Sequence, residues 1–85
     1  MKTHSLKTWP EFFQATKRGE KLFEVRINDR NYEVGDRIIL HEYDPKTDTV
    51  TGEQLNCRIT YILPPYNDVV ELGDNCILSL KLLGS

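Results

Sequence analysis

The run Gly19-Glu20-Lys21-Leu22-Phe23-Glu24-Val25-Arg26-Ile27-Asn28-Asp29-Arg30, closed by Val34-Gly35-Asp36, constrains this chain more than any other segment. Phe23, Val25 and Ile27 alternate with Glu24, Arg26 and Asn28, the period of two expected of a strand with one buried face. The apolar set is expected to face a core. Glu24 and Arg26 then share the other face, roughly 6–7 Å apart at the rise of a strand. Lys21 stands just before the strand and Arg30 just after it, so a Lys, a Glu, two Arg and an Asn gather around one rigid support. The remainder of the chain is expected to build a small barrel on that strand.

Length bounds the answer further. Eighty-five residues make a single domain, 1–85, and an apolar fraction of 39% suffices for one core with little to spare. No run approaches the roughly 18 apolar residues of a membrane span, and residues 1–10 hold no apolar stretch resembling a secretory signal. A cytoplasmic protein without a membrane partner, monomeric by default, is the expectation.

Cys57 and Cys76 lie 19 positions apart in apolar strand contexts, which suggests buried free thiols rather than a disulfide scaffold. His4 and His41 have no ligand-like spacing to each other or to the cysteines, so neither a metal nor another cofactor is expected.

The net charge of −2 excludes a polybasic nucleic-acid binder, but the charge is unevenly spread. Residues 1–37 carry 8 Lys and Arg against 6 Asp and Glu, whereas residues 38–85 carry 3 against 7. A local basic cleft for a polyanion is therefore expected in the N-terminal half, with modest long-range steering.

Along the chain, residues 3–7 alternate as a short first strand with His4 and Leu6 on one side. Thr8 followed by Glu11 matches a capping box, and Pro10 suits a first helical turn. Trp9, Phe12, Phe13 and Thr16 then fall on one face of a helix over 9–18, and Gly19 supplies its left-handed stop. Residues 37–43, with Ile38, Ile39 and Leu40 at their centre, predict a strand covered on both faces. Residues 44–52 are a polar hairpin connection. In the longest predicted strand, 53–63, Leu55, Cys57, Ile59, Tyr61 and Leu63 alternate with polar residues. Pro64-Pro65 ends it, and 75–82 returns as the last strand. The expected core joins Phe23, Val25, Ile38, Leu40, Ile59, Leu78 and Leu80 to Phe12 and Phe13. The fold class is α+β, mainly β: an antiparallel barrel-like sheet with one N-terminal helix against it.

Gly19-x-Lys21-x-Phe23-Glu24-x-Arg26-x-Asn28-Asp29-Arg30 with Val34-Gly35-Asp36-x-Ile38-x-Leu40-x-Glu42, together with His4-Ser5-Leu6-Lys7, Tyr43-Asp44-Pro45, Thr51-Gly52 and Ile59-Thr60-Tyr61-Ile62, resembles the ASCH-type domains of the PUA-like superfamily. More narrowly it is similar to a group of short bacterial and phage proteins classed as a domain of unknown function. The resemblance spans the chain outside loop 64–74. It implies a PUA-like β-barrel of five or six strands with a cleft between barrel and helix, and a role in binding RNA or acting on nucleosides. Lys21, Glu24 and Arg26 would line that cleft, His4 and Lys7 would lie nearby on the first strand, and Asn28 and Arg30 would border the opening.

Some ASCH proteins are amidohydrolases that deacylate modified cytidine, with a Lys-Thr-x-Thr-x-Arg segment and an acid from a helical insertion. This chain keeps Lys21 and Arg26 but has Leu22 and Glu24 at the threonine positions. Its loop 64–74 is too short for the insertion, though it offers Asp68 and Glu71.

The chemistry of the cluster admits several readings. Glu24 and Arg26 can be a plain same-face ion pair or a recognition pair, Arg for phosphate or a carbonyl edge and Glu for an exocyclic amine. Trp9, Tyr32, Tyr43 and Tyr66 are the candidate stacking platforms for single-stranded RNA. Lys21 and Glu24 are the candidate catalytic residues, as base or nucleophile and as proton carrier. The leading expectation is an RNA- or nucleotide-binding module. A small nucleoside-directed amidohydrolase and a protein-interaction accessory domain are the alternatives.

Overall fold

Alternation in the first six strand residues sets the first edge of the sheet. Strand β1, Thr3–Thr8, buries His4, Leu6 and Thr8 and exposes Thr3, Ser5 and Lys7. The computed structural model describes residues 1–84. Helix α1 follows over Pro10–Lys17, then β2 over Phe23–Ile27, β3 over Arg37–Asp44, β4 over Thr49–Leu63 and β5 over Asn75–Leu82. No helix among the described residues is long and apolar enough to cross a membrane.

The five strands form one sheet in the order β1-β3-β4-β5-β2. It is not wholly antiparallel, as the sequence suggested: β1 runs parallel to β3, with Leu6 opposite Leu40, while the other three pairings are antiparallel. The α1–β2 excursion between β1 and β3 makes this possible, because a parallel neighbour needs a long crossover. The sheet curls into a half-barrel whose two edge strands, β1 and β2, approach without sharing a backbone ladder. Side chains span the gap instead: Arg26 Nη2 donates to the Lys7 carbonyl at 2.8 Å, and Arg30 Nη1 donates to that of Ser5 at 3.2 Å.

The core comprises Leu6, Phe13, Tyr32, Ile38, Leu40, Cys57, Ile59, Cys76, Leu78 and Leu80, with Leu55, Ile62 and Leu82 packed against it. Phe23 and Val25 do not belong to it. They are 43% and 51% exposed, Ile27 is 60% exposed, and Glu24 is 3% exposed, so β2 faces opposite to expectation. The register explains the reversal. Glu24 lies opposite Leu78 and Arg26 opposite Cys76, and directly paired residues of antiparallel strands share a face. With Leu78 and Cys76 inside, Glu24 and Arg26 must also point inward.

The helix corrects a second expectation. Its N-cap is Trp9, in extended backbone with no side-chain cap bond, and Pro10 opens the first turn. Thr8 makes no cap because it remains in β1, paired with Glu42. Only Phe13 and Thr16 of the aromatic stripe are buried. Eight residues dock through one narrow face, leaving Trp9 and Phe12 outside, 54% and 41% exposed. The C-terminus closes as read: Gly19, at φ +80°, donates to Thr16 O while Glu20 N–H donates to Ala15 O, the bond pair of a Schellman motif.

In β4 the alternation holds for Cys57 and Ile59, then breaks at a bulge between Ile59 and Tyr61. The extra residue turns Tyr61 to solvent and brings Ile62 opposite Leu78, as a bulge does. Strand β4 also begins at Thr49, inside the segment read as a connection.

Candidate functional site

Because β2 is an edge strand facing β1 across an open seam, its inward charges line a groove rather than a sealed core. The groove encloses about 510 Å³ between α1, the end of β1 and β2. Lys7 and Thr8 of β1, Trp9 and Phe12 at the start of the helix, and Lys21 to Arg26 except Leu22 form its walls.

Its charged centre is one carboxylate held by two cations. Glu24 Oε1 accepts from Arg26 Nε at 2.9 Å and Nη2 at 2.7 Å, and Oε2 accepts from Lys21 Nζ at 2.6 Å. A buried carboxylate demands such partners, since an unpaired buried charge is costly. Lys21 also donates to the Phe23 carbonyl at 2.7 Å. Its ammonium lies 4.9 Å from the centre of the Phe23 ring and 5.8 Å from that of Phe12, within cation–π range. With Lys7, the groove holds three cations against one anion.

The aromatic wall is open. Trp9 and Phe12 stand nearly parallel, at 17°, with ring centroids 6.1 Å apart. Phe23 and Val25 continue the apolar lining along β2. An apolar wall with a few fixed charges is the general make-up of a small-molecule site.

Of the residues named from sequence, Lys7, Lys21, Glu24 and Arg26 meet in this groove. His4 does not. It is buried beneath the other end of β1, where its Nε2 sits 2.9 Å from Asp36 Oδ2 and its ring meets that of Tyr32 edge-on. Burial pushes the Asp36 carboxyl up, but the bonds from His4 and from the Lys2 and Glu33 backbone N–H groups outweigh it and bring it down to about 2. Arg30 lines a second, smaller groove, and Asn28 lines neither. Asp68 and Glu71 line neither groove as well. Tyr32 is core, Tyr43 carries the Lys7 ammonium over its ring at 4.9 Å, and Tyr66 is exposed outside both grooves.

The sequence pattern predicts Phe12, Phe23 and Val25 in the core and offers Trp9 as one platform among four, whereas all four line the groove. A signal was present in the composition of the helix: three bulky aromatics in five residues exceed what a two-turn helix can bury against one sheet.

Cys57 and Cys76 are buried free thiols. Burial, helped by the Glu24 charge, pushes the Cys57 thiol up to about 11, leaving no thiolate for nucleophilic attack near neutral pH. Among the described residues no group of three or more His, Cys, Asp and Glu is arranged to hold a metal ion.

Comparison with known proteins supplies the family. The chain is 36% identical over 86 aligned positions to an uncharacterized 12.9 kDa protein in the GpA 3′ region of Escherichia phage P2, covering 98% of this chain and 71% of that protein. A family model described as a domain of unknown function, DUF3850, matches residues 3–80. The residues that build the seam and its larger groove fall inside that match, and the chain belongs to the DUF3850 family.

Proposed function

We propose that this domain binds RNA or a nucleotide in the larger seam groove, and that its curled sheet is a PUA-like barrel of the ASCH type. The observation that carries the reading is the pairing of an exposed, nearly parallel Trp9–Phe12 wall with a Lys21–Glu24–Arg26 charge cluster in one groove. Stacking on exposed aromatic faces and attraction of a phosphate by Lys7, Lys21 and Arg26 are the two forces by which single-stranded nucleic acid is held. Every oxygen of Glu24 already accepts a charge-assisted bond, which favours a binder over a deacylating catalyst with Glu24 as its base.

Titration with nucleoside monophosphates and short single-stranded RNAs at two salt concentrations tests this. Affinity is expected to fall as salt rises. Trp9→Ala is expected to weaken binding by about 1–3 kcal/mol, the contribution of one stacked base. Lys46→Ala, on the distal hairpin, is the control. The reading fails if no ligand binds below millimolar concentration, or if Lys46→Ala and Trp9→Ala weaken binding equally.

One observation favours a second reading, a protein-interaction domain. Phe23, Val25 and Ile27 are exposed on the outer face of β2, and Val25 lies opposite the half-buried Ile77 of β5, itself opposite the half-buried Leu63 of β4. Such a contiguous apolar patch commonly marks an interface. Association abolished by Ile27→Glu, with no nucleotide binding in the parent, would favour that reading.

A further inference from the structure

We propose that the smaller groove beside Arg26 is a second nucleotide subsite, so that the ligand of the seam is a single strand of at least two nucleotides. The inference rests on the nucleotide reading of the larger groove. The smaller groove encloses about 290 Å³, and Leu6, Val25, Arg26, Asp29, Arg30 and Asn75 are among the residues that line it. It shares Val25 and Arg26 with the larger one.

Both edge strands order the two grooves in the same way. Along β2 the larger groove takes positions 23 to 26, and the smaller begins at 25 and runs on to Arg30. Along β1 the larger groove takes Lys7 and Thr8, while the smaller takes Leu6. The two grooves therefore lie end to end as one interrupted trough, parted where Arg26 reaches across the seam to the Lys7 carbonyl.

The chemistry changes along that trough. Arg26 uses Nε and Nη2 for Glu24 and Lys7, while its Nη1 makes no hydrogen bond among the described residues. Arg30 is exposed and uses only Nη1, on Ser5. Guanidinium donors thus remain at the junction and beyond it, where a phosphodiester linking two nucleosides would lie. The smaller groove also presents acceptors. Asp29 has a free carboxylate among the described residues, and Asn75 commits its Nδ2 to Leu72 O, leaving Oδ1. Acceptors repel a phosphate but suit ribose hydroxyls and exocyclic amino groups. The smaller groove accordingly takes the nucleoside, and the two guanidiniums take the bridge.

The test compares each ribonucleoside 5′-monophosphate with the matching dinucleoside monophosphate by calorimetric titration of the intact chain. At least one dinucleotide is expected to bind about tenfold tighter than its mononucleotide, because the second contact is then intramolecular. Arg30→Ala and Asp29→Ala are expected to collapse that ratio toward one, and circular dichroism verifies that both variants fold. A wild-type ratio near one, or a ratio that survives both variants, overturns the proposal. If mononucleotides bind in a Trp9-dependent manner without a dinucleotide advantage, the second subsite fails while the nucleotide reading stands. If neither ligand binds, both fail together.

Discussion

Arg26 donates to the backbone carbonyl of Lys7 at 2.8 Å and in the same pose clamps Glu24. One guanidinium therefore ties β2 to β1 where the sheet leaves its edges unpaired, and neutralises the carboxylate that β2 turns inward. Unpaired edges are ordinarily a liability, and here a side chain performs part of the work of a closing ladder.

Removing that guanidinium should destabilise the fold beyond the loss of an ordinary surface ion pair. Arg26→Ala leaves Glu24 with Lys21 as its sole cation, and frees the Lys7 carbonyl. Arg26 retains some exposure, so solvent screening limits the cost to about 1–3 kcal/mol. Adding Glu24→Leu should recover part of it, because the second change removes the under-paired charge and places an apolar group opposite Leu78. Chemical denaturation of the two single variants and the double variant measures the coupling. Strict additivity would show that the clamp carries no mutual energy.

Burial predicts a sharp contrast within the helix. Phe13→Ala empties a fully buried site and should cost about 3–5 kcal/mol, enough to threaten a domain this small. Trp9→Ala and Phe12→Ala remove exposed rings and should each stay within about 1 kcal/mol of wild type. Thermal melts of the three variants distinguish the ring that docks the helix from the two that it leaves in solvent. Equal losses at Phe12 and Phe13 would restore the single buried stripe that the sequence pattern suggests.

The elements were legible in the sequence, and their facing was not. Gly19 marked the helix end because few other residues take its backbone angle, and Ile38, Leu40, Leu78 and Leu80 read as core because their strands lie inside the sheet. A period of two shows that a strand has two faces without saying which is buried. Apolarity argued for Phe23 and Val25, but the register with β5 decided for Glu24 and Arg26. The two cations beside Glu24 make that inward turn tolerable, so the same residues that suggested a site also reversed the strand. The alternation over 53–63 breaks before Tyr61 for another reason: a one-residue bulge changes the phase of a strand without a reliable mark in composition. His4 is placed near the cleft only by the ASCH resemblance, and nothing local to it in sequence reveals its partner, Asp36, which lies 32 positions away.

Asp36 should make the fold sensitive to acid. Its carboxyl sits at about 2 against a reference of 3.8, so the folded state favours the charged form. That preference contributes its full stability above about pH 4 and is lost as pH falls from there through about 2, a difference of about 2 kcal/mol. Asp36→Asn should remove this contribution near neutral pH and flatten the profile between pH 2 and 4 relative to wild type. Denaturation midpoints across that range provide the measurement. Parallel profiles for the two proteins would show that Asp36 is not the group responsible.

Thr16 supports the last expectation. It is fully buried on the docking face of α1, and its Oγ1 has no hydrogen-bond partner among the described residues. A hydroxyl in that position gave up its bonds to water on folding and recovered none. Its nearest apolar isostere carries no such debt. Thr16→Val should therefore be neutral or stabilising by about 1 kcal/mol despite the small helix preference against valine, whereas Thr16→Ala should destabilise by removing packed volume. Melting temperatures decide the matter: a marked fall for Thr16→Val would mean that the hydroxyl has a partner in solution, such as a buried water bridging to the helix backbone.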